Sequence, residues 1–418
     1  MYRTPRGTVD ILPQDQALWH FVKEKAAAVC RLYGYERIDT PVFEDARLFV
    51  RGIGEGTDIV EKEMYTFEDR SKDPLTLRPE GTAPVCRAYI EHGMANLPQP
   101  VRLYYIAPIF RYERPQAGRF RQHWQFGAEA IGDASPLLDA EVIDMAIAFY
   151  SSLGLRDLVL KINSIGCPNC RPEYLNRLKA YYADKLDRLC PDCKRRAERN
   201  PLRLLDCKNE MCIPLTEKAP RSTDHLCGEC ARHFQSLESH LRLLNHPFEV
   251  EHRLVRGLDY YTKTVFEIQP PGAQGAQSTV GGGGRYDNLI EALGGKPTPA
   301  IGFATGIERV ILNLQRAGVE IPRPGKPGVF IAFFGEGTET KAMEYAARLR
   351  REGIGVITAS PGRSLKAQLR QANALGAGHV LIIGEDELRD GLVMLKEMAD
   401  GQQRRLAPGE VITYFKQR

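Results

Sequence analysis

The sequence predicts an α+β chain: a mixed helix-and-strand core, an inserted and mainly helical segment, and a small α/β domain at the end. Three observations carry that expectation. Two apolar runs, 101–111 and 121–131, flank a polar loop and read as an antiparallel hairpin. Residues 161–253 then change character, with helical periodicity and eight of the ten cysteines. Beyond the proline- and glycine-rich stretch Pro322–Gly328, apolar runs alternate with amphipathic helices, which is the pattern of a right-handed α/β unit.

The elements follow in chain order. Residues 14–31 read as a long helix that opens after Pro13 and stops near Gly34. The hairpin strand 101–111 alternates Val101, Leu103 and Tyr105, and its loop, 113–119, holds Pro115 and Gly118. Within the insertion, 172–189 and 230–244 read as helices. Strand character returns at 258–268 and from Ser278, ahead of the run Gly281–Gly284. Taken alone, that run reads as a flexible turn as easily as a ligand-approaching backbone. Helices are expected at 287–293 and 306–317. In the last domain the expected strands are 329–334, 354–359 and 379–383, with helices 338–352 and 364–375 between them, and 392–398 and 411–415 completing the sheet. The domain limits are therefore 1–160 and 254–322 for two halves of one core, 161–253 for the insertion and 328–418 for the last domain.

Composition narrows the class. Of 418 residues, 43% are hydrophobic and 26% charged, which excludes a mostly disordered chain. Lys+Arg is 57 and Asp+Glu 53, a net charge of +4 that excludes a strongly basic tail protein and leaves a local nucleic-acid surface open. The insertion holds 17 basic against 13 acidic residues and the last domain 13 against 11, so the excess sits in these two regions. No apolar run approaches the roughly 20 residues a membrane span needs. The first ten residues lack an apolar core of the secretory kind, so the expectation is a cytoplasmic chain with reduced thiols and no membrane partner.

Three features carry chemistry. Phe110-Arg111-Tyr112-Glu113-Arg114, followed by Arg119 and Arg121, places forked, permanently charged donors at a strand end, where they suit phosphate oxygens. Gly281–Gly284 with Arg285, Tyr286 and Asp287 is neither a P-loop nor a dinucleotide fingerprint. Gly302-Phe-Ala-Thr-Gly306-Ile-Glu-Arg309 puts small residues before an arginine at a helix start. Each alone reads as readily as a solvated hairpin, a turn or a helix surface. Together they resemble one family: Tyr35–Glu44 with its Pro41 resembles motif 1 of class II aminoacyl-tRNA synthetases, Phe110–Glu113 with its loop and return strand resembles motif 2, and Ala300–Arg309 resembles motif 3, in that order. Leu77-Arg-Pro-Glu-Gly-Thr82 and Leu254-Val-Arg-Gly-Leu-Asp-Tyr-Tyr261 resemble the segments peculiar to the histidyl-tRNA synthetase family, and the likeness spans essentially the whole chain.

The resemblance implies a histidine–tRNA ligase with a central antiparallel sheet, a terminal anticodon-binding domain and a homodimeric assembly. It implies ATP and L-histidine as substrates, with Mg²⁺, and tRNA(His) as partner. By the same likeness Arg111 contacts the α-phosphate, and Arg256 does so from the opposite side, where other class II families use a metal. Arg309 and Arg119 reach the terminal phosphates, and Glu113 the adenine amino group. Glu80, Thr82 and Gln125 would take the histidine ammonium. Glu129 would accept from the imidazole, and Tyr260, Tyr261 and Tyr286 would complete that pocket. No histidine or serine reads as a general base for the transfer step, which leaves the adenylate's own oxygens. Arg363, Lys366 and Arg370, expected on one helical face of the last domain, are candidate RNA contacts. A regulatory paralogue without catalysis is the competing class, but such proteins lack the last domain and the active-site arginines.

The cysteines are read from spacing alone. Cys167-x-x-Cys170, Cys190-x-x-Cys193, Cys207-x4-Cys212 and Cys227-x-x-Cys230 are paired as thiolate zinc ligands are, enough for up to two Zn²⁺ sites. Many members of the family lack them. Cys30 and Cys86 fall in helical patterns and read as packing residues.

Overall fold

The hairpin is the spine of an eight-stranded sheet. In this computed structural model, which describes residues 2–54, 56–113, 119–272, 279–321 and 328–416, the strand order is Glu36–Arg37, Val101–Phe110, Gln122–Ile131, Ala300–Gly306, Gly281–Arg285, Thr262–Gln269, Val159–Ser164 and Phe248–Val250. The six inner strands are antiparallel to one another, and the two edge strands pair parallel. Arg114, Ser278 and most of the Pro322–Gly328 stretch lie outside the described residues. Contacts divide the chain into two compact units, Met1–Ile321 and Pro322–Arg418.

Alternation along a strand sends successive side chains to opposite faces. In Gln122–Ile131 the even positions Phe126, Ala128 and Ala130 enter a core covered by the helices Gln16–Leu32, Pro136–Ser152, Gly228–Leu243 and Ile307–Arg316. The odd positions Gln125, Gly127 and Glu129 face the other side, under the helix Thr82–Glu91. A second core there combines Val85, Tyr89, Tyr105 and Tyr286 with Leu178 and Tyr182 of the cysteine-rich segment. Between the strands Val159–Ser164 and Phe248–Val250 the chain runs through four α-helices, Arg171–Tyr182, Pro191–Arg199, Ile213–Glu217 and Gly228–Leu243.

The glycine run departs from the turn reading. Gly281–Arg285 is a buried inner strand. A Cβ built on Gly283 would lie 2.0 Å from the Gly302 carbonyl oxygen, and one on Gly282 would lie 2.6 Å from that of Phe266. The neighbouring strands approach too closely for any side chain, so what looked like flexibility is tight packing.

The second unit is built on a five-stranded sheet ordered Val356–Thr358, Val329–Phe333, His379–Ile383, Val393–Glu397 and Gln403–Leu406. Its first three strands are parallel and the last two antiparallel. The strand expected at 411–415 is instead part of the helix Pro408–Lys416. Val411, Tyr414 and Phe415 have i, i+3, i+4 spacing and pack on the core, and Pro408 suits a first helical turn. Gln403–Leu406 takes the sheet edge in its place. Arg363 is also corrected: it precedes the N-cap Ser364 of the helix Leu365–Leu375, so only Lys366 and Arg370 share a helical face. All three side chains are exposed. Among the described residues no helix is long and apolar enough to cross a membrane.

Candidate active site

One cavity on the second face of the sheet collects the side chains singled out from sequence. Glu80, Thr82, Gln125, Glu129, Tyr260, Tyr261 and Tyr286 line its inner part. Arg111, Glu113, Arg119, Arg256 and Arg309 line the same cavity.

The inner part is held by a network of hydroxyls and carboxylates. Glu80 precedes the helix Thr82–Glu91 and accepts from the Thr82 and Ala83 amides, both at 2.7 Å, which satisfies two otherwise unpaired donors of the first turn. Burial pushes the Glu80 carboxyl above its ordinary pKa, against those two bonds. Glu129 accepts from Thr82 Oγ1 at 2.7 Å and from the Tyr286 hydroxyl at 2.6 Å. Its side chain is 1% exposed, and burial raises its pKa to about 8 although both hydrogen bonds oppose the shift. Gly302 pairs with Glu129 on the adjacent strand, and a Cβ there would lie 1.8 Å from Glu129 Oε2. The glycine is what leaves room for the carboxylate.

The outer part is cationic. Arg111 Nε donates to the Pro79 carbonyl oxygen at 2.7 Å, which anchors the hairpin end to the segment carrying Glu80. Arg256 donates to Glu267 Oε1 at 2.6 Å. Burial disfavours the Arg256 cation, yet Glu267 and Tyr261 hold it firmly charged. Arg309, two residues into the helix Ile307–Arg316, donates to the Thr279 carbonyl oxygen at 2.9 Å. Arg119 pairs with Glu113 at 3.2 Å. Four guanidinium groups thus converge from three separate chain segments on one concave surface, a geometry for binding and stabilising negative phosphoryl oxygens.

The chain matches the family model described as Histidyl-tRNA synthetase over residues 7–310 and that described as Anticodon binding domain over 328–418. It is 59% identical over 416 residues to a histidine–tRNA ligase of Dehalococcoides mccartyi, covering 100% of this chain and 99% of the relative. The chain belongs to the histidyl-tRNA synthetase family. The histidine–tRNA ligase of Desulforamulus reducens is 50% identical over 414 residues, 99% of either chain. Among solved structures, apo Staphylococcus aureus histidyl-tRNA synthetase superposes with a TM-score of 0.83 at 38% identity, over 100% of both chains. The α+β class and the class II synthetase architecture foreseen from sequence are those of this family.

Several residues in or beside the cavity were not singled out from the family's motifs. Glu267, partner of Arg256, accepts from Thr279 Oγ1 at 2.7 Å and Gln269 Nε2 at 3.0 Å. Its signal was present in the sequence as one acidic residue inside the apolar strand Thr262–Gln269. His123 shares the face of Gln125 and Glu129. Burial first, then Arg111 and Arg309, lowers its pKa to about 3, so it is a neutral imidazole at working pH. Glu308 accepts from the Trp124 amide, and burial raises its pKa to about 7. Tyr105 stands opposite Gly127 and donates to Gln125 Oε1 at 3.2 Å, a placement that only strand register reveals.

The eight paired cysteines form two groups, Cys167, Cys170, Cys227 and Cys230, and Cys190, Cys193, Cys207 and Cys212, with all sulfurs of a group within 4.8 Å of one another. Zn–S bonds of about 2.3 Å in a tetrahedron put sulfurs about 3.8 Å apart. The contacts Cys167–Cys170, Cys167–Cys227, Cys170–Cys230 and Cys190–Cys207 are 3.8, 3.9, 3.9 and 3.8 Å. No disulfide joins them. Cys30 and Cys86 are both buried in helices, away from either group.

Proposed function

We propose that this cavity activates histidine with ATP, giving histidyl-adenylate and pyrophosphate, and then passes histidine to the 3′-hydroxyl of the terminal adenosine of tRNA(His). The observation that carries the reading is the joining, in one cavity, of a buried carboxylate pair with four convergent arginines. The attack of the histidine carboxylate on the α-phosphate concentrates negative charge, and fixed cations aimed at that charge are the economical way to lower the barrier. Arg111 and Arg256 take the α-phosphate from two sides. Arg256 Nε is buried with no hydrogen-bond partner among the described residues, a donor that a phosphate oxygen would satisfy. Arg309 and Arg119 take the outer phosphates, and Glu113 the adenine amino group.

Glu80, Thr82 and Gln125 bind the histidine ammonium. Glu129 accepts an imidazole N–H, and Tyr260, Tyr261 and Tyr286 enclose the ring. Mg²⁺ would arrive with ATP and neutralise its outer phosphates. Glu267, which lies beside the arginines, would be the carboxylate to hold it. A histidine-dependent exchange of pyrophosphate into ATP tests the reading; folded protein without exchange overturns it and favours a regulatory, non-catalytic relative.

The same reading assigns 1–160 and 254–322 to the catalytic domain, 161–253 to an inserted domain and 328–418 to anticodon binding. The assembly is a homodimer in the cytoplasm. Arg363, Lys366 and Arg370 contact RNA phosphate, the last two lining a shallow concavity with Leu365 and Leu369. The cysteine groups bind structural Zn²⁺, supported by their all-thiolate donor sets and sulfur spacing. Metal analysis of protein purified without chelator tests this, and a zinc content near zero sinks it.

A further inference from the structure

The two cysteine groups are nested and unequal in what they touch. Cys167, Cys170, Cys227 and Cys230 join the two ends of the inserted segment next to the sheet. Cys190, Cys193, Cys207 and Cys212 close a loop inside it. This inner loop reaches the active site. A cavity continuous with the site is lined by Cys190, Cys207 and Lys208 on one side and by Arg111, Arg256 and Arg309 on the other.

Between Cys193 and Cys207 the loop grips two segments of the catalytic fold. Arg196 Nη2 lies 3.1 Å from Asp58 Oδ2, and Arg199 Nη1 lies 2.7 Å from Glu61 Oε1. Asp58 and Glu61 belong to the short helical stretch around Ile59–Glu63, whose Glu63 carbonyl oxygen accepts the Tyr112 amide at 2.7 Å, directly beside Arg111. The second grip is on the Arg256 segment. Asn200 Nδ2 donates to Asp259 Oδ1 at 2.7 Å, and Arg203 Nη1 would stand 3.3 Å from a Cβ at Gly257.

We infer that the inner Cys₄ group is a zinc site that positions the Arg256 and Arg111 segments for adenylate formation, and not merely a staple of the inserted segment. This rests on reading the cysteines as zinc ligands. A loop of about 20 residues with two short helical pieces, Pro191–Arg199 and Pro201–Leu204, has little core of its own, and a closed tetrahedral metal is what would fix the spacing of Arg196, Arg199 and Asn200. The two attachments then transmit that order to the arginines, whose transition-state contacts depend on placement. The residues involved are positioning residues; none touches the reacting atoms.

The test uses the full-length protein purified without chelator. The expected zinc content is two per chain, falling to one in Cys190→Ser/Cys207→Ser. In that variant the kcat of histidine-dependent pyrophosphate exchange should fall about tenfold or more, with the histidine KM changed far less, because a small displacement of the arginines acts on the transition state. Hydrogen exchange of the 256–261 and 110–113 amides should rise. Asn200→Ala, which leaves every sulfur in place, should keep two zinc ions and lower kcat in the same direction. A wild-type zinc content of zero removes the zinc reading and this inference together. Two zinc ions in wild type, one in the double variant and an unchanged kcat overturn the inference alone. Normal kcat and amide exchange in Asn200→Ala would also overturn it.

Discussion

The Tyr286 hydroxyl donates a 2.6 Å hydrogen bond to Glu129 Oε2, while Thr82 donates at 2.7 Å to the other oxygen. Two hydroxyls from segments far apart in the sequence thus aim one buried carboxyl group into the cavity. Glu129→Gln preserves the shape and replaces one oxygen of the carboxyl group with an amide N–H donor. The expected outcome is a histidine KM raised about 10- to 100-fold in pyrophosphate exchange, with the ATP KM nearly unchanged, because a mispaired buried polar site rejects its ligand strongly. An unaltered histidine KM would remove Glu129 from imidazole recognition.

Two cavity groups give opposite pH dependences of stability. The folded-state pKa of Glu129, about 8, lies above the ordinary value of 4.5. The folded chain therefore holds a proton that the unfolded chain releases, so this contribution is full below about pH 4.5 and is lost as pH rises toward 8. His123 is depressed from 6.5 to about 3, so its contribution is present above pH 6.5 and is lost as pH falls toward 3. In calorimetry, Glu129→Gln should lose less Tm than the parent between pH 6 and 8. His123→Gln should lose less between pH 6.5 and 5. Parallel curves for parent and variants would contradict these assignments.

Gly302→Ala tests the space made for Glu129. A Cβ at that position would lie 1.8 Å from Glu129 Oε2, so the carboxylate or the strand must move. A shift of this size should lower kcat/KM for histidine about 100-fold. Retention of most activity would show that the carboxylate can be relocated at little cost.

Arg256→Ala removes a cation held by Glu267 at 2.6 Å on the cavity lining, where it is proposed to meet the α-phosphate. Adenylate formation should fall about 100- to 1,000-fold with far-UV circular dichroism unchanged, the size seen when one aimed donor is lost from a transition state. Near-normal activation would refute its proposed role.

Arg285 differs from the cavity arginines in being structural. It is 0% exposed and meets Asp139 at 2.6 Å and Asp287 at 2.9 Å. Asp139 also accepts from Thr264 Oγ1 at 2.6 Å and lies 2.8 Å from His233 Nε2. Arg285→Ala leaves a buried carboxylate without its cation and should cost about 3–5 kcal/mol in urea unfolding. A loss below about 1 kcal/mol would mean that water enters and solvates Asp139.

The legibility of the fold varied with the length and regularity of each signal. The hairpin strands, ten residues each with clear alternation, emerged within a residue or two of their limits. The segment 411–415 did not, because five apolar residues fit a strand or a helix equally until packing chooses. Gly281–Gly284 misled for a different reason. Glycine marks both free backbone and backbone packed too tightly for a Cβ, and only the flanking strands distinguish the two.

By itself the sequence determined the family, the α+β class, the order of the motifs, and the paired cysteines. These are properties of residue type and spacing, which local propensity and chemical function write directly into the chain. Tertiary structure decided which cysteine pairs join, since Cys170 meets Cys230 rather than the nearer Cys190. It also made Arg285 a buried strut while Arg256 faces the cavity, and brought Glu267, Tyr105 and His123 to the site. Those outcomes depend on strand register and on which face of the sheet is covered, and contacts between residues far apart in sequence set both.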